Sequence, residues 1–170
     1  MQQQDTMQEQ FNTILAFMPV HEHLYTSGQP TAEQLNLIKE NGFSTIINLA
    51  LTDASNHLPF EDRICLELGL DYIQIPLLWD CPNSSAALLV LDLVDHLVRE
   101  QQVWLHCAKN FRVSSLMYLY RQYYMGMNIA EADALLQQIW QPNETWTGLM
   151  HALQLQLQAR QSTKEIEQLS

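Results

Sequence analysis

One cysteine at the junction of an apolar segment and a helix is the most chemically suggestive feature of the sequence. Val103–His106 (VWLH) predicts a strand, Cys107 follows it at once, and a helix is predicted from about residue 113. Backbone N–H groups of such a turn and of the helix N-terminus face one centre, where they can bind an anion. The same field favours the thiolate form of a cysteine. The spacing therefore predicts a nucleophilic cysteine beside an anion-binding loop.

Basic residues are concentrated in the same turn. Lys109 and Arg112 are two of the eight basic residues in a chain whose net charge is −11. The guanidinium group of Arg112 is planar and permanently charged, so it suits a tetrahedral oxyanion. Asn110 lies mid-turn, where a left-handed backbone is often needed and where Asn is well tolerated. A buried cysteine with no chemical role, followed by an ordinary helix, remains the alternative interpretation of Cys107.

The segment His106–Ser114 resembles the signature of the cysteine-dependent protein phosphatases, His-Cys-x5-Arg-Ser/Thr. Here only four residues separate Cys107 from Arg112, so the motif is Cys-x4-Arg. These four residues are Ala108, Lys109, Asn110 and Phe111. Counted without a gap, Val113 takes the arginine position of the signature and Ser114 takes its Ser/Thr position.

Other segments extend this resemblance over residues 24–146. Ser27–Pro30 (SGQP) and Ile46–Leu49 (IINL) are similar to the bacterial phosphatase-like family DUF442. Cys107–Ser114 and Trp140–Trp146 (WQPNETW) resemble a bacterial branch of tyrosine-phosphatase-like proteins that share the short loop. The resemblance implies a bacterial phosphatase of the tyrosine phosphatase type.

The resemblance also implies a role for each residue of the site. Cys107 would attack phosphorus and form a phosphocysteine, while Arg112 and the loop amides hold the equatorial oxygens. Ser114 would donate a hydrogen bond to the sulfur of Cys107. His106 would orient the loop from behind, although a plain core histidine is an equally good interpretation. The other members of the anion-binding loop would be Ala108, Lys109, Asn110, Phe111 and Val113.

This chemistry also needs an acid for the leaving oxygen, and Asp80 is the candidate. It follows the predicted strand Asp71–Leu77 at the same edge of the sheet as Cys107. An aspartate that only stabilises a turn is the alternative interpretation of Asp80. Asp53 is a weaker second candidate for the acid.

Strands and helices alternate along the chain and must position these residues. Strands are predicted at 24–27, 43–49, 71–77 and 103–106, with helices between them. This alternation favours an α/β fold with a mostly parallel central sheet of about four strands flanked by helices. Extra C-terminal helices are predicted near 130–140 and 145–160. A short first helix is predicted over Phe11–Met18, where apolar residues recur at helical spacing.

Composition and charge indicate one domain over residues 1–170. A chain of this length with 47% hydrophobic residues can bury a sizeable core, and loose tails are expected at about 1–10 and 162–170. The charge of −11 disfavours nucleic acid and anionic membranes as partners. Three cysteines without metal spacing indicate neither a disulfide framework nor a metal site. No targeting segment is visible, so a cytoplasmic protein is expected, or a periplasmic one if a leader was removed.

The function that these observations predict is hydrolysis of phosphomonoesters, with phosphotyrosine as one substrate class. A phosphorylated small molecule or phosphoprotein is the expected partner, phosphate or sulfate is expected to occupy the Cys107 loop, and no cofactor is expected. A homo-oligomer remains open. Two alternatives remain. A rhodanese-like sulfurtransferase would carry a persulfide on Cys107, because the Cys-x4-Arg loop is similar in length to the loop of that family. A pseudophosphatase would bind an anionic partner without catalysis.

Overall fold

A five-stranded sheet forms the centre of the fold in the computed structural model, which describes residues 2–170, with side chains from residue 6. The strands are β1 (Met18–His21), β2 (Leu24–Ser27), β3 (Thr45–Asn48), β4 (Asp71–Gln74) and β5 (Val103–His106). Their order is β1-β2-β5-β3-β4. The pairs among β2, β5, β3 and β4 are parallel, and β1 joins β2 in the antiparallel direction. The predicted α/β fold is therefore confirmed, with one additional edge strand.

Helices cover both faces of this sheet. In the described part of the chain they are α1 (Gln2–Phe11), α2 (Ala32–Glu40), α3 (Glu61–Glu67), α4 (Ser84–Leu97), α5 (Phe111–Tyr123), α6 (Ile129–Gln137) and α7 (Glu144–Leu169). Neighbouring strand residues point to opposite faces. Ile47 and Leu105 therefore pack into the core formed with α4, α5 and α7, while Ile46 and Trp104 pack into the core formed with α1, α2 and α3. Burial on both faces explains why β3 and β5 carry apolar residues at consecutive positions.

The prediction of a helix over Phe11–Met18 is wrong. Helix α1 ends at Phe11, and Met18 already belongs to β1. Proline at position 19 disfavours the helical conformation of the residue before it, which suits a strand. The apolar residues of this segment serve packing instead: Phe11 is fully buried, and the ring of Phe17 stacks on Trp104 with centroids 5.6 Å apart.

Both segments that were expected to be loose tails are largely helical. Helix α1 begins at Gln2, whereas Met1 lies outside the described residues. Helix α7 continues to Leu169, but its buried stripe ends at Leu157 and every side chain of residues 158–170 is exposed. None of the helices among the described residues is long and apolar enough to cross a membrane.

Candidate active site

Strand β5 carries Cys107 to the carboxyl edge of the sheet. It lies between β2 and β3, so both neighbours hold the residues at its end. The N–H of Cys107 donates to the carbonyl of Ser27 at 3.4 Å, and the carbonyl of His106 accepts from the N–H of Leu49 at 2.9 Å. Cys107 is fully buried as a residue and forms no disulfide. The sheet therefore fixes the start of the loop.

Asn110 turns the chain from this loop into α5. Its φ of 67° lies in the left-handed region, as the turn predicted at this position requires. Its side-chain Nδ2 donates to the carbonyl of Ala16 at 2.8 Å, so the loop is tied to the segment before β1. Asn110 makes no side-chain hydrogen bond to cap α5. The first N–H groups of this helix therefore have no side-chain cap from Asn110 and can face an anion.

A cavity of about 310 Å³ opens over the loop. Its lining residues are Trp79, Cys107, Ala108, Lys109, Phe111 and Arg112. Two of them, Lys109 and Arg112, are basic, and none of the lining residues carries a carboxylate. The thiol of Cys107, the two basic side chains and the N-terminus of α5 thus border the same cavity. This arrangement suits an anion with a reactive central atom.

Arg112 reaches this cavity although it follows Cys107 after only four residues. Its Nε donates to the carbonyl of Leu77 at 2.9 Å, and its Cζ lies 5.4 Å from the ring centroid of Trp79. The backbone after β4 therefore orients the guanidinium group, while no hydrogen bond within the described part of the chain involves its terminal NH groups, which suit an anion.

Tryptophans from the C-terminal helices brace one wall of the cavity. Trp140 stacks on Phe111 with centroids 4.7 Å apart and planes 6° apart. Trp146, fully buried in α7, donates its indole N–H to the carbonyl of Trp79 at 3.0 Å. Neither tryptophan was predicted to serve the site, although both lie in the WQPNETW segment that carried part of the resemblance.

Comparisons with known proteins identify solved structures that have a similar fold. No family model matches the chain, and neither does any curated protein. A solved structure described as "Putative phosphatase (DUF442)" from Shewanella putrefaciens CN-32 has 25% identity and a TM-score of 0.77, with 88% of this chain and 97% of that chain covered. These values support a DUF442-like, tyrosine-phosphatase-like family for the chain.

Two further solved structures share the fold of this chain. The active form of Tk-PTP has 16% identity and a TM-score of 0.69, with 81% of this chain and 95% of that chain covered. A cysteine-to-serine variant of P. aeruginosa TpbA, in complex with pTyr, has 18% identity and a TM-score of 0.59, with 82% and 90% covered. These chains therefore share the fold of this chain, an α/β sheet flanked by helices.

Five predicted site residues lie outside the lining of the cavity, namely Asp80, His106, Asn110, Val113 and Ser114. Val113 is fully buried in α5. The hydroxyl of Ser114 donates to the carbonyl of Phe111 at 3.2 Å rather than to the sulfur of Cys107. Asp80 is exposed and follows Trp79, which does line the cavity. The structure therefore brings Cys107 together with Lys109 and Arg112, whereas Asp80 lies in the segment after β4 outside the cavity lining.

His106 has a partner that sequence reasoning missed. The ring is fully buried, with Nδ1 3.1 Å from the carbonyl oxygen of Cys107 and Nε2 2.8 Å from Oε1 of Glu61. Burial raises the pKa of Glu61, but His106, Gln29 and Tyr72 lower it, and the net shift is downward. No local motif distinguishes Glu61, since only the fold places α3 behind the loop.

Proposed function

We propose that the chain is a cysteine-dependent phosphatase that hydrolyses phosphomonoesters, aryl phosphates among them. The observation that carries this proposal is the shared cavity of Cys107, Lys109 and Arg112 at the N-terminus of α5. A phosphate dianion brings two negative charges, which the two cations and the helix N-terminus complement. The aromatic rings of Trp79 and Phe111 form an apolar wall suited to an aryl leaving group.

The first step transfers the phosphoryl group to sulfur. The thiolate of Cys107 attacks phosphorus, the S–P bond forms, and the bond from phosphorus to the leaving oxygen breaks with its electron pair on oxygen. Arg112 and the first N–H groups of α5 hold the three equatorial oxygens as negative charge spreads over them. Lys109, which is exposed, attracts the dianion to the loop.

Asp80 supplies the proton that the leaving oxygen needs. It follows Trp79, whose carbonyl is held by Trp146, so the backbone at this point is anchored beside the cavity. In the second step water attacks the phosphocysteine, the S–P bond breaks, and the resulting carboxylate of Asp80 accepts the proton from water. Inorganic phosphate and the thiolate are regenerated.

Trapping the covalent intermediate tests this mechanism. Wild-type protein mixed with an activated aryl phosphate and quenched in acid should carry one phosphate on the peptide that contains Cys107. Asp80→Asn should retain trapping with the activated substrate but lose turnover of alkyl phosphates, because only the poorer leaving group needs the acid. An unmodified Cys107 peptide during measurable turnover would contradict the proposal.

A non-catalytic anion-binding role is the second candidate, and the exposure of Asp80 outside the cavity lining favours it. In that case phosphate would protect Cys107 from alkylation, and neither turnover nor sulfur transfer from thiosulfate would be detected. Sulfur transfer that depends on Cys107 would instead favour the sulfurtransferase. A cytoplasmic location, a homo-oligomer and a phosphorylated small molecule or phosphoprotein as partner stay predictions.

A further inference from the structure

A buried polar cluster lies behind the Cys107 loop, and its centre is the carboxylate of Glu61. Only 5% of this residue is exposed. Its Oε1 accepts a hydrogen bond from Nε2 of Gln29 at 2.8 Å. Its Oε2 accepts from Nδ2 of Asn48 at 2.8 Å and from the hydroxyl of Tyr72 at 3.0 Å. A carboxylate buried with this many donors is stabilised in its charged form.

His106 connects this carboxylate to the nucleophile. A carbonyl oxygen can only accept, so the 3.1 Å contact with Cys107 requires a hydrogen on Nδ1. On the other side of the ring, Nε2 lies 2.8 Å from Oε1 of Glu61. The buried ring of His106 therefore lies between the carboxylate of Glu61 and the backbone of Cys107.

Gln29 provides a second connection from Glu61 to the loop. While its side chain donates to Glu61, its backbone N–H donates to the carbonyl of Ala108 at 3.0 Å. Cys107 and Ala108 are the two residues that follow β5. The carbonyl of Cys107 contacts His106 and that of Ala108 accepts from Gln29, and both of these partners contact the carboxylate of Glu61. Loss of that carboxylate would loosen the loop at two adjacent peptides.

We propose that Glu61 is a positioning residue of the phosphatase site, which acts through His106 to hold the Cys107 loop. The proposal rests on the proposed function and adds to it a residue outside the cavity. A loop held in this way keeps its N–H groups directed at Cys107, which favours the thiolate and does not require a substrate.

The other titratable groups that face Glu61 are neutral at physiological pH. Burial raises the pKa of Tyr72 on β4, and Glu61 raises it further. Burial also raises the pKa of Cys65, on the same helix as Glu61, to about 12. Neither the tyrosine nor the thiol therefore adds a charge to the cluster around Glu61.

Site-specific alkylation of Cys107 tests the proposal without turnover. Iodoacetamide labelling would be followed by mass spectrometry of the Cys107 peptide, because the exposed Cys81 also reacts. For Glu61→Gln we expect a rate about tenfold below wild type at about pH 6, with the difference largely gone at about pH 8. The matched control is Asp62→Asn, which changes the exposed neighbouring carboxylate and should leave the rate within about twofold.

A double mutant tests whether Glu61 acts through His106. If it does, Glu61→Gln combined with His106→Asn should react no more slowly than His106→Asn alone. Full additivity of the two effects, or a wild-type rate in Glu61→Gln, would overturn the proposal.

Nitrogen NMR of the wild type keeps the proposal testable should Glu61→Gln fail to fold. With ¹⁵N-labelled histidine, and with His106→Asn for assignment, Nδ1 of His106 should carry a hydrogen, because it faces the carbonyl oxygen of Cys107. A ring whose only hydrogen is on Nε2 would contradict the proposal. Because neither alkylation nor NMR needs turnover, an inactive wild type would remove the phosphatase function and leave this result interpretable.

Discussion

Arg112 keeps its place in the cavity through contacts with the backbone after β4 rather than through its spacing from Cys107. The bond from its Nε to the carbonyl of Leu77 and its position over Trp79 direct the guanidinium group. A lysine has no planar fork and could not bind both the carbonyl and an anion in this way.

Arg112→Lys is therefore expected to lower kcat/KM for an aryl phosphate by about a hundredfold or more. Lys109→Met serves as the control, because it removes an exposed charge without a fixed partner among the described contacts, and its effect should be about tenfold or less. Steady-state kinetics of both variants would check this. Equal losses in the two variants would contradict the role given to Arg112.

Gly28 permits the close approach between the end of β2 and the Cys107 loop. A Cβ at this position would lie 2.8 Å from the carbonyl oxygen of Ala108 and 3.0 Å from Leu15. Gly28→Ala should therefore displace the loop, destabilise the chain by about 1–3 kcal/mol and reduce turnover.

Gly148→Ala is the control for this prediction. A Cβ there meets nothing within 4 Å, and the residue lies inside α7, so the change should stabilise the chain by about 0.5–1 kcal/mol. Urea unfolding of both variants, with turnover measured alongside, would decide. A fully active and equally stable Gly28→Ala would show that the loop adapts.

The residues of the cavity were predictable to the extent that they are neighbours in sequence. Cys107, Lys109 and Arg112 share one turn, so a strand followed by a helix is enough to place them together. Glu61 could not be found in this way, because its contact with His106 spans 45 residues and depends on how α3 packs. Residue type alone also did not indicate that Ser114 donates to Phe111.

At the scale of elements, α7 supports the loop that carries Asp80. Trp146→Phe removes the hydrogen bond to the carbonyl of Trp79 and should cost about 1–2 kcal/mol of stability. Amide hydrogen exchange in residues 77–83 should become faster, because the loop loses its anchor.

Trp140→Phe is the matched control for this change. Its indole N–H has no hydrogen-bond partner among the described residues, and a phenyl ring can keep the stacking on Phe111. We expect little change in exchange over residues 77–83 for this variant. Equal acceleration in both variants would show that ring volume, rather than the bond from α7, holds the loop.

The strands and most helices were predictable because β3 and β5, which are buried on both faces, combine apolar and β-branched residues between turns. Strand β1 was not predicted, because Phe11, Ile14 and Met18 recur at the spacing of one face of a helix. In the structure, Phe11 and Ile14 belong to a core that includes Trp104 from a distant strand. Periodicity within a short segment cannot report such a contact.

At the scale of the whole molecule, stability is expected to depend on pH through Glu61. Despite burial, its donors hold the pKa of this carboxyl below its ordinary value of 4.5. As the pH falls, the unfolded chain therefore takes up this proton first. The contribution of Glu61 to the free energy of unfolding is complete above about pH 4.5 and is lost as the pH falls through the lower folded value.

Urea unfolding of wild type and Glu61→Gln between about pH 3 and pH 7 would check this dependence. The wild type should be more stable by a nearly constant amount in the upper part of the range, and the difference should shrink below about pH 4.5. Asp62→Asn is again the control. A difference that stays constant down to the lowest pH would contradict the linkage.

Charge over the whole molecule also bears on function. Against a net charge of −11, the cavity over Cys107 is a small cationic region, so an anionic substrate must be recognised locally and at short range. Local recognition of an anion agrees with hydrolysis of a phosphate ester, and the role of Cys107 as nucleophile is therefore the central claim to test.

The most direct test is hydrolysis of a generic aryl phosphate from acidic to slightly alkaline pH, with wild type measured beside Cys107→Ser. We predict turnover by the wild type and its loss in the variant, while both proteins unfold cooperatively and bind phosphate. Turnover that survives in Cys107→Ser, or its absence in both proteins, would contradict a phosphatase that uses Cys107 as its nucleophile.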